Sequence, residues 1–286
     1  MSATNGGAGK RIVLLANNWV GAEVARVLRE AGENVVGLVL HPGERRSFGE
    51  EIARDSDVAE ASIFDGSRLR EPAVREAIRS LRADIAVSAL FGYVLRGELI
   101  ESFPGGCVNI HTGLLPYNRG AHPNVWSIVE GTPAGVTIHY MDAGVDTGDI
   151  IAQREVSVEP VDTGERLYRK LERAAVELFA ESWPVIRSGN APRIPQALRG
   201  EGSAHLAREL ESLGEIDLDR TYTGRELVNI LRARTFPPYR GAYFRADGRV
   251  VYMKLSLEYG EASRSGTEPP SSAMPAVARV AVEEER

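Results

Sequence analysis

The sequence predicts an α/β protein with a Rossmann-like, mostly parallel sheet, helices on both faces of that sheet, and a small C-terminal α+β module. Three observations indicate this. Short apolar runs alternate with segments of helical apolar spacing along the first two thirds of the chain, which is typical of strands joined by crossover helices. A stretch rich in glycine, proline and arginine follows at 188–202. The 286 residues, 43% apolar and 26% charged, suit a globular protein.

The individual elements follow from local patterns. Apolar runs typical of buried strands lie at 11–16, 33–40, 83–90, 106–111 and 135–141. Helical spacing predicts helices at 21–31, 69–81, 123–130 and 166–186. In the C-terminal part we expect a helix at 223–234 and a hairpin of strands 242–245 and 249–258, joined by an Asp-Gly turn.

This organisation predicts a main domain at 11–187 and a small module at 203–260. Residues 1–10 are small and polar, and residues 261–286 are rich in serine, proline and glutamate. Segments of that composition bury too little apolar surface to fold, so we expect both ends to be disordered.

Several classes of function are disfavoured by composition. The loop Asn17–Gly21 lacks the glycine triplet of a dinucleotide site, and the net charge of −6 provides no basic field for a nucleic acid. Cys107 is the single cysteine, which excludes an internal disulfide and a cysteine-rich metal site and fits a cytoplasmic protein. The sequence has neither a signal-peptide run nor an apolar stretch long enough to span a membrane.

The segment from Cys107 to Ile151, CVNIHTGLLPYNRGAHPNVWSIVEGTPAGVTIHYMDAGVDTGDII, carries the clearest chemistry. Asn109 and His111 lie two apart on a predicted strand and so share a face, at the end of the strand where α/β sheets bind ligands. An amide can stabilise an oxyanion and an imidazole can move a proton. Asp146 follows in a glycine-rich turn, and a carboxylate beside a histidine fixes its tautomer and favours its protonated form.

This segment resembles the signature of the formyltransferase family, which includes methionyl-tRNA, glycinamide ribonucleotide and nucleotide-sugar formyltransferases. The resemblance extends over residues 11–187. It implies a formyl donor, 10-formyltetrahydrofolate, attacked directly by a substrate amine, with no metal. It also implies that Asn109 and protonated His111 stabilise the oxyanion and that Asp146 holds His111 and helps to relay protons.

The resemblance further implies where the ligands bind. The pterin of the folate is expected against two segments, 90–95 and 142–145. The residues concerned are Leu90, Phe91, Gly92, Tyr93, Leu95, Asp142, Ala143, Gly144 and Val145.

A nucleotide-linked amino sugar is the predicted acceptor. The loop LPYNRGAHPN and the ending RTFPPYRGAYFRADGRVVYMKLSLEY resemble the sugar enzymes, and residues 205–259 are too few for the full barrel domain with which the tRNA enzymes grip RNA. The expected acceptor contacts are Asn17, Trp19, Tyr117, Asn118 and Arg119, with Arg119 open between binding a ligand phosphate and bracing its loop. We expect structural roles for His122 and His139, and a homodimer formed through the C-terminal module.

Other functions stay open from the sequence. Within the same chemistry, the acceptor is alternatively methionyl-tRNA or another small amine, such as a hydroxylated ornithine. A 10-formyltetrahydrofolate hydrolase and a non-catalytic folate-binding protein are alternatives of other classes. The complete Asn109, His111 and Asp146 set disfavours the non-catalytic alternative.

Overall fold

A seven-stranded sheet lies at the centre of residues 9–95 and 97–260, the part of the chain that the computed structural model describes. The strands in this part are β1 (Arg11–Ala16), β2 (Asn34–Leu40), β3 (Ile63–Asp65), β4 (Ile85–Ala89), β5 (Cys107–His111), β6 (Arg119–Gly120), β7 (Gly135–Tyr140), β8 (Ile150–Glu155), β9 (Ala204–His205), β10 (Tyr243–Ala246) and β11 (Arg249–Tyr252). The central sheet has the order β3-β2-β1-β4-β5-β7-β8. Short pairs join β6 to β9 and β10 to β11.

Helices cover both faces of this sheet, and the C-terminal part of the described chain contributes two further helices. The helices in the described residues are α1 (Asn18–Glu30), α2 (Gly49–Ser56), α3 (Pro72–Ser80), α4 (Gly97–Ile100), α5 (Pro123–Glu130), α6 (Gly164–Arg187) and, in the C-terminal part, α7 (Glu209–Leu213) and α8 (Gly224–Ala233). The prediction of an α/β fold with a mostly parallel sheet is confirmed.

Strand β1 shows why both faces are covered. Its side chains alternate, so Leu14 belongs to one buried apolar cluster and Leu15 to another. The first cluster includes Leu28 of α1 and Phe179 of α6, whereas the second includes Ile78 of α3. A strand buried on both faces has to be apolar at every position, which explains its continuous apolar run.

The end of the sheet that carries β5 departs from a purely parallel arrangement. Strand β7 runs antiparallel to β5, and β8 runs antiparallel to β7. The sequence analysis missed β8, β3 and α2. Only the first two residues of β8 are buried, so this edge strand has no continuous apolar run, and β3 has only three residues.

The C-terminal part has a small apolar core of its own. Ile216, Ile230 and Ala242 are buried there beneath α8 and the hairpin. Strand β11 ends at Tyr252, short of the predicted 258, because β10 offers four residues for pairing. Helix α3 begins at Pro72, inside the predicted 69–81, since proline favours the first helical position.

The described residues up to Ser256 form one compact unit. Within it the connecting segment, residues 188–202, packs against the sheet: Ile194 forms two backbone hydrogen bonds with Ile150 of β8, at 2.8 and 3.0 Å. Leu257–Gly260, the described part of a second unit, contains no helix or strand. The division into domains 11–187 and 203–260 stays a prediction. Residues 1–8 and 261–286, expected to be disordered, lie outside the described residues.

Candidate active site

Strand β5 presents two of the predicted catalytic side chains. Val108 and Ile110 point into the apolar core and are almost completely buried. Asn109 and His111 therefore share the opposite face, with Asn109 half-buried and His111 buried. The alternation seen in the sequence is the direct cause of this placement.

Asp146 joins this pair from the loop between β7 and β8. Its Oδ1 accepts a hydrogen bond from Asn109 Nδ2 at 3.3 Å, and its Oδ2 lies 3.5 Å from His111 Nδ1. The backbone N–H of Gly120 donates to the same Oδ2 at 2.9 Å. The three predicted residues thus converge, and the side chain of Asp146 keeps 14% of its surface exposed.

The orientation of the His111 ring follows from its other partner. Nε2 lies 3.0 Å from the backbone carbonyl of Asn118, and a carbonyl can only accept, so Nε2 carries a hydrogen. In the neutral ring, Nδ1 then directs a lone pair toward Asp146 Oδ2. Two lone pairs facing each other explain why this distance, 3.5 Å, exceeds that of a normal hydrogen bond. Nδ1 is therefore the atom of His111 that can take up a proton.

Burial and charge set the resting protonation of this pair. Burial lowers the pKa of His111, while the charge of Asp146 partly offsets that effect. For Asp146, burial alone would raise the pKa, but His111, His139 and the Gly120 N–H together hold it well below its ordinary value. The directions of these two pKa shifts favour a neutral imidazole beside a carboxylate at neutral pH. The resemblance implied a protonated His111 during the reaction, and that role stays a prediction.

His139, for which the sequence analysis expected a structural role, is a further neighbour of Asn109 and Asp146. It pairs with Asn109 across β5 and β7, and its Nε2 lies 3.1 Å from Asn109 Nδ2 and 3.4 Å from Asp146 Oδ1. Its Nδ1 donates to the Tyr140 carbonyl at 2.8 Å. The alternation of GVTIHY puts His139 and Thr137 on one face, but only the pairing of β7 with β5 shows which side chains they meet.

Asn118 supports His111 and does not face open space. Its side chain is fully buried, and its Nδ2 donates to Ser127 Oγ and Thr132 Oγ1 at 2.9 and 2.8 Å. Its Oδ1 accepts from Ser203 Oγ at 3.0 Å. These bonds use the side chain inside the protein, so its burial does not support the predicted contact with an acceptor.

The connecting segment supplies a residue that the sequence analysis did not single out. Gln196 Nε2 donates to the carbonyls of Asp146 and Gly148 at 2.7 and 2.8 Å. Its Oε1 accepts from Arg119 Nε at 3.1 Å. For Arg119 the structure thus shows a bracing contact. The segment had been interpreted as a domain boundary, and no local pattern marks Gln196 as part of the site.

The first predicted pterin segment follows β4 and is partly exposed. Phe91 and Tyr93 pack edge-on around His41, with ring centroids 5.2 and 4.8 Å away. Gly92 is exposed and its N–H points to His41 Nε2 at 3.3 Å. Leu90 is half-buried. Leu95 belongs to the apolar core, which leaves its backbone as the part able to meet a ligand.

The second predicted pterin segment is an exposed turn. Asp142, Ala143, Gly144 and Val145 are all exposed. Asp142 Oδ1 accepts from the Gly144 N–H at 2.9 Å and from Thr147 Oγ1 at 2.6 Å, and these bonds shape the turn. The pterin-contact role of both segments stays a prediction.

A cavity of about 680 Å³ lies among α1, α5, α6 and the chain after α8. None of Asn109, His111 and Asp146 lines it, but His122 does, and His122 is two residues from the Gly120 N–H that binds Asp146. Its walls come from the start of α1, the loop before α2, α5, α6, α8 and the chain after α8. The lining residues include Asn18, Trp19, Phe48, Tyr168, Arg169, Arg234, Phe236, Tyr239 and Arg240.

Only one of the predicted acceptor residues lines this cavity. Trp19 lines it, whereas Asn17, Tyr117 and Arg119 do not. Asn17 instead braces the neighbouring loop: its Oδ1 accepts from the Ser47 N–H at 2.9 Å. The arginines and aromatic residues after α8 were not proposed as acceptor contacts from the sequence, although RTFPPYR places them together.

No group of three or more histidine, cysteine or acidic side chains in the described residues is arranged to hold a metal ion. Among the same residues, no helix has the length and apolar character needed to cross a membrane.

Comparisons with known proteins match the chain to two family models. The model described as formyl transferase matches residues 10–182, and the model described as N-formyltransferase dimerization C-terminal domain matches residues 209–259. Among curated relatives, methionyl-tRNA formyltransferase of Symbiobacterium thermophilum is 35% identical over 255 residues, covering 86% of this chain and 76% of the relative.

Solved structures are similar over most of the chain. A 4-N formyltransferase from Francisella tularensis has a TM-score of 0.73 and 31% identity, covering 88% of this chain and 100% of that one. A formyltransferase from Anoxybacillus kamchatkensis was solved with UDP-4,6-dideoxy-4-formamido-L-AltNAc and tetrahydrofolate. Its TM-score is 0.52 at 30% identity, covering 71% of this chain and 88% of that one.

The contact between Asp146 and His111 makes a testable prediction. In Asp146→Asn the charge that raises the pKa of His111 is lost while burial remains, so the pKa of His111 should fall further. NMR titration of the histidine rings measures this directly, since the chain has only five histidines. Asp142→Asn is the matched control, because Asp142 bonds within its own exposed turn. An unchanged His111 pKa in Asp146→Asn would contradict the arrangement.

Proposed function

We propose an acceptor for this chain, which belongs to the formyl transferase family and is a folate-dependent N-formyltransferase. The formyl group of 10-formyltetrahydrofolate is transferred to the amine of a nucleotide-linked amino sugar. Family membership confirms the predicted resemblance, the enzyme class and the folate donor. The acceptor proposal rests mainly on the chemistry of the 680 Å³ cavity that His122, Trp19 and Arg234 help to line.

The lining of that cavity suits a nucleotide. Trp19, Phe48, Phe236 and Tyr239 offer aromatic surface, on which a base can stack. Arg234 adds a guanidinium whose buried Nε has no hydrogen-bond partner among the described residues. Arginine suits a diphosphate because its planar donors match phosphate oxygens.

The start of α1 adds to this preference for an anion. Asn18 and Trp19, the first residues of the helix, line the cavity, and its first turn contains no acidic residue. The N-terminus of a helix carries a partial positive charge that favours phosphate groups. In the proposed complex a nucleoside diphosphate binds here, and its attached sugar extends toward Asp146.

The catalytic roles we propose follow from the protonation of the pair. The acceptor amine attacks the formyl carbon, and Asn109 Nδ2 donates to the resulting oxyanion in place of one of its present partners. His111 Nδ1 accepts the proton that the amine nitrogen loses, and Asp146 stabilises the imidazolium. Collapse of the intermediate breaks the bond between the formyl carbon and the folate nitrogen. The protonated His111 returns the proton gained from the amine to that nitrogen, which releases tetrahydrofolate and restores the neutral imidazole.

Methionyl-tRNA is the second candidate acceptor, because a curated relative with that name is 35% identical over 86% of this chain. The net charge of −6 disfavours it, since RNA binding relies on basic surface. The proposal also places the enzyme in the cytoplasm, supported by a single cysteine, Cys107.

The chemistry is tested by tetrahydrofolate release from 10-formyltetrahydrofolate with dTDP- and UDP-linked 3- and 4-amino sugars and with charged initiator tRNA. We expect turnover with an amino sugar and a loss of about 100- to 1,000-fold in Asn109→Ala, the size of effect typical of an oxyanion donor. Asn190→Ala, an exposed asparagine, is the control and should retain activity.

Other outcomes of this assay identify the alternatives. Turnover with tRNA alone, together with tight salt-dependent binding, would contradict the sugar proposal. Formate release without any acceptor would indicate a hydrolase. Folate binding with no turnover under any condition would indicate a non-catalytic protein.

The cavity is tested by Arg234→Ala. Loss of a charge-assisted hydrogen bond of about 1.5–3 kcal/mol should raise the acceptor KM about 10- to 100-fold and leave the folate KM unchanged. Arg225→Ala is the control, because Arg225 is exposed near the start of α8, the helix that Arg234 follows directly. Equal effects of the two substitutions would mean that the acceptor does not bind in this cavity.

We also propose a homodimer that buries the hairpin of β10 and β11. Val250, Val251 and Tyr252 lie on β11 and keep about two fifths of their surface exposed, and the matching family model is described as a dimerization domain. Val251→Glu should convert the protein to a monomer in light-scattering measurements, since a charge in an apolar contact is costly. Val185→Glu, at an exposed position of α6, should not. A monomeric wild-type protein would rule the proposal out.

A further inference from the structure

Gln196 lies in a part of the chain that neither family model covers. It begins a short turn, Gln196–Arg199, between the matched regions 10–182 and 209–259. Its surface is only 5% exposed. The paired bonds between Ile194 and Ile150 hold the chain two residues before it against β8. The position of Gln196 is therefore determined by the sheet.

The hydrogen bonds of Gln196 determine the orientation of its amide. Both Nε2 hydrogens are directed to carbonyls, those of Asp146 and Gly148, at 2.7 and 2.8 Å. The Oε1 atom receives the Arg119 Nε–H at 3.1 Å. Carbonyls only accept and a guanidinium only donates, so the opposite amide orientation would break all three bonds.

These bonds act on Asp146 at a strained point of the backbone. Asp146 has φ +52°, a left-handed conformation that residues other than glycine adopt infrequently. Gln196 binds the carbonyl of this same residue and the carbonyl two positions later. Without these donors, the carbonyls of Asp146 and Gly148 lose these hydrogen bonds, and the left-handed conformation of Asp146 has less to stabilise it.

Gln196 is also linked, through Arg119 and Gly120, to the carboxylate of Asp146. The carboxylate is held by the N–H of Gly120, and the preceding residue, Arg119, is the one whose guanidinium binds Gln196 Oε1. One amide thus ties together the backbone of Asp146 and the loop that positions its carboxylate. Because the Gln196 amide is uncharged, it donates to both carbonyls without placing a charge beside Asp146 and His111.

We infer that Gln196 is a positioning residue for Asp146 and that the connecting segment is therefore a working part of the active site. Gln196 does not line the 680 Å³ cavity, so it acts through Asp146 and not by holding the acceptor. The inference rests on the proposed catalytic role of Asp146.

Gln196→Met tests this, since methionine keeps the length of the side chain and removes its donors. We expect kcat to fall by up to about 100-fold, as for misplacement of a catalytic group by roughly 1 Å, with the acceptor KM unchanged. The pKa of His111, read by NMR, should fall as in Asp146→Asn, because the carboxylate moves away. A structural role alone would not move that titration.

Gln153→Met is the matched control. Gln153 Nε2 also donates two bonds, to the Leu115 carbonyl at 2.7 Å and to Thr137 Oγ1 at 3.0 Å, but none to the Asp146 loop. Gln153→Met should lower the melting temperature by a similar amount and leave the pKa of His111 unchanged. If Gln196→Met does not fold, Gln196→Glu carries the same kinetic test, since an isosteric carboxylate has no hydrogen for either carbonyl.

Asp146→Asn measured in parallel separates this inference from the proposed function. If Asp146→Asn retains full activity, the proposed role of Asp146 fails and the inference fails with it. If Asp146→Asn is inactive while Gln196→Met keeps kcat within about twofold, below the effect expected of misplacement, the inference alone is overturned. An unshifted His111 titration in Gln196→Met also overturns it.

Discussion

The carboxylate of Asp146 is the group around which the rest of the site is arranged. A largely buried anion is stable only when hydrogen-bond donors surround it, and here the donors come from separate parts of the chain. Asn109 comes from β5, Gly120 from the loop after it, and His111 stands ready to donate once protonated. Gln196 holds the backbone of the same residue. Each of these segments is therefore constrained by the need to satisfy one negative charge.

This arrangement separates the two charges that the chemistry requires. Asp146 is ionised at rest and burial keeps His111 neutral, so a proton taken up during the reaction is stabilised by a charge already in place. The same shifts favour the folded state near neutral pH. Below the ordinary His111 pKa of 6.5 the unfolded chain gains protons first, and below the ordinary Asp146 value of 3.8 it does so again, so acid weakens the fold at both steps.

In the proposed function, the acceptor is recognised by a different set of elements from the one that performs the transfer. The cavity is built from the start of α1, α6 and the chain around α8, whereas the proposed catalytic side chains lie on β5 and the loop before β8. Under this proposal, changes in the cavity alter the choice of acceptor and leave the transfer step in place. This fits a family in which a relative is named for methionyl-tRNA and a similar solved structure contains a UDP-linked formamido sugar.

Local patterns in the sequence determined the strands of the sheet's interior, the helices that cover it, and the shared face of Asn109 and His111. These depend on periodicity and burial, which neighbouring residues specify. The long match around Asp146 likewise marked the family and the donor. The sequence analysis did not identify Gln196, the arginines of the cavity or the partners of His139. Their contacts lie far away in the chain, 50 residues in the case of Gln196 and Asp146. Only the tertiary structure decided these contacts, because the pairing of β7 with β5 and the packing of the connecting segment on β8 depend on long-range contacts that no local periodicity encodes.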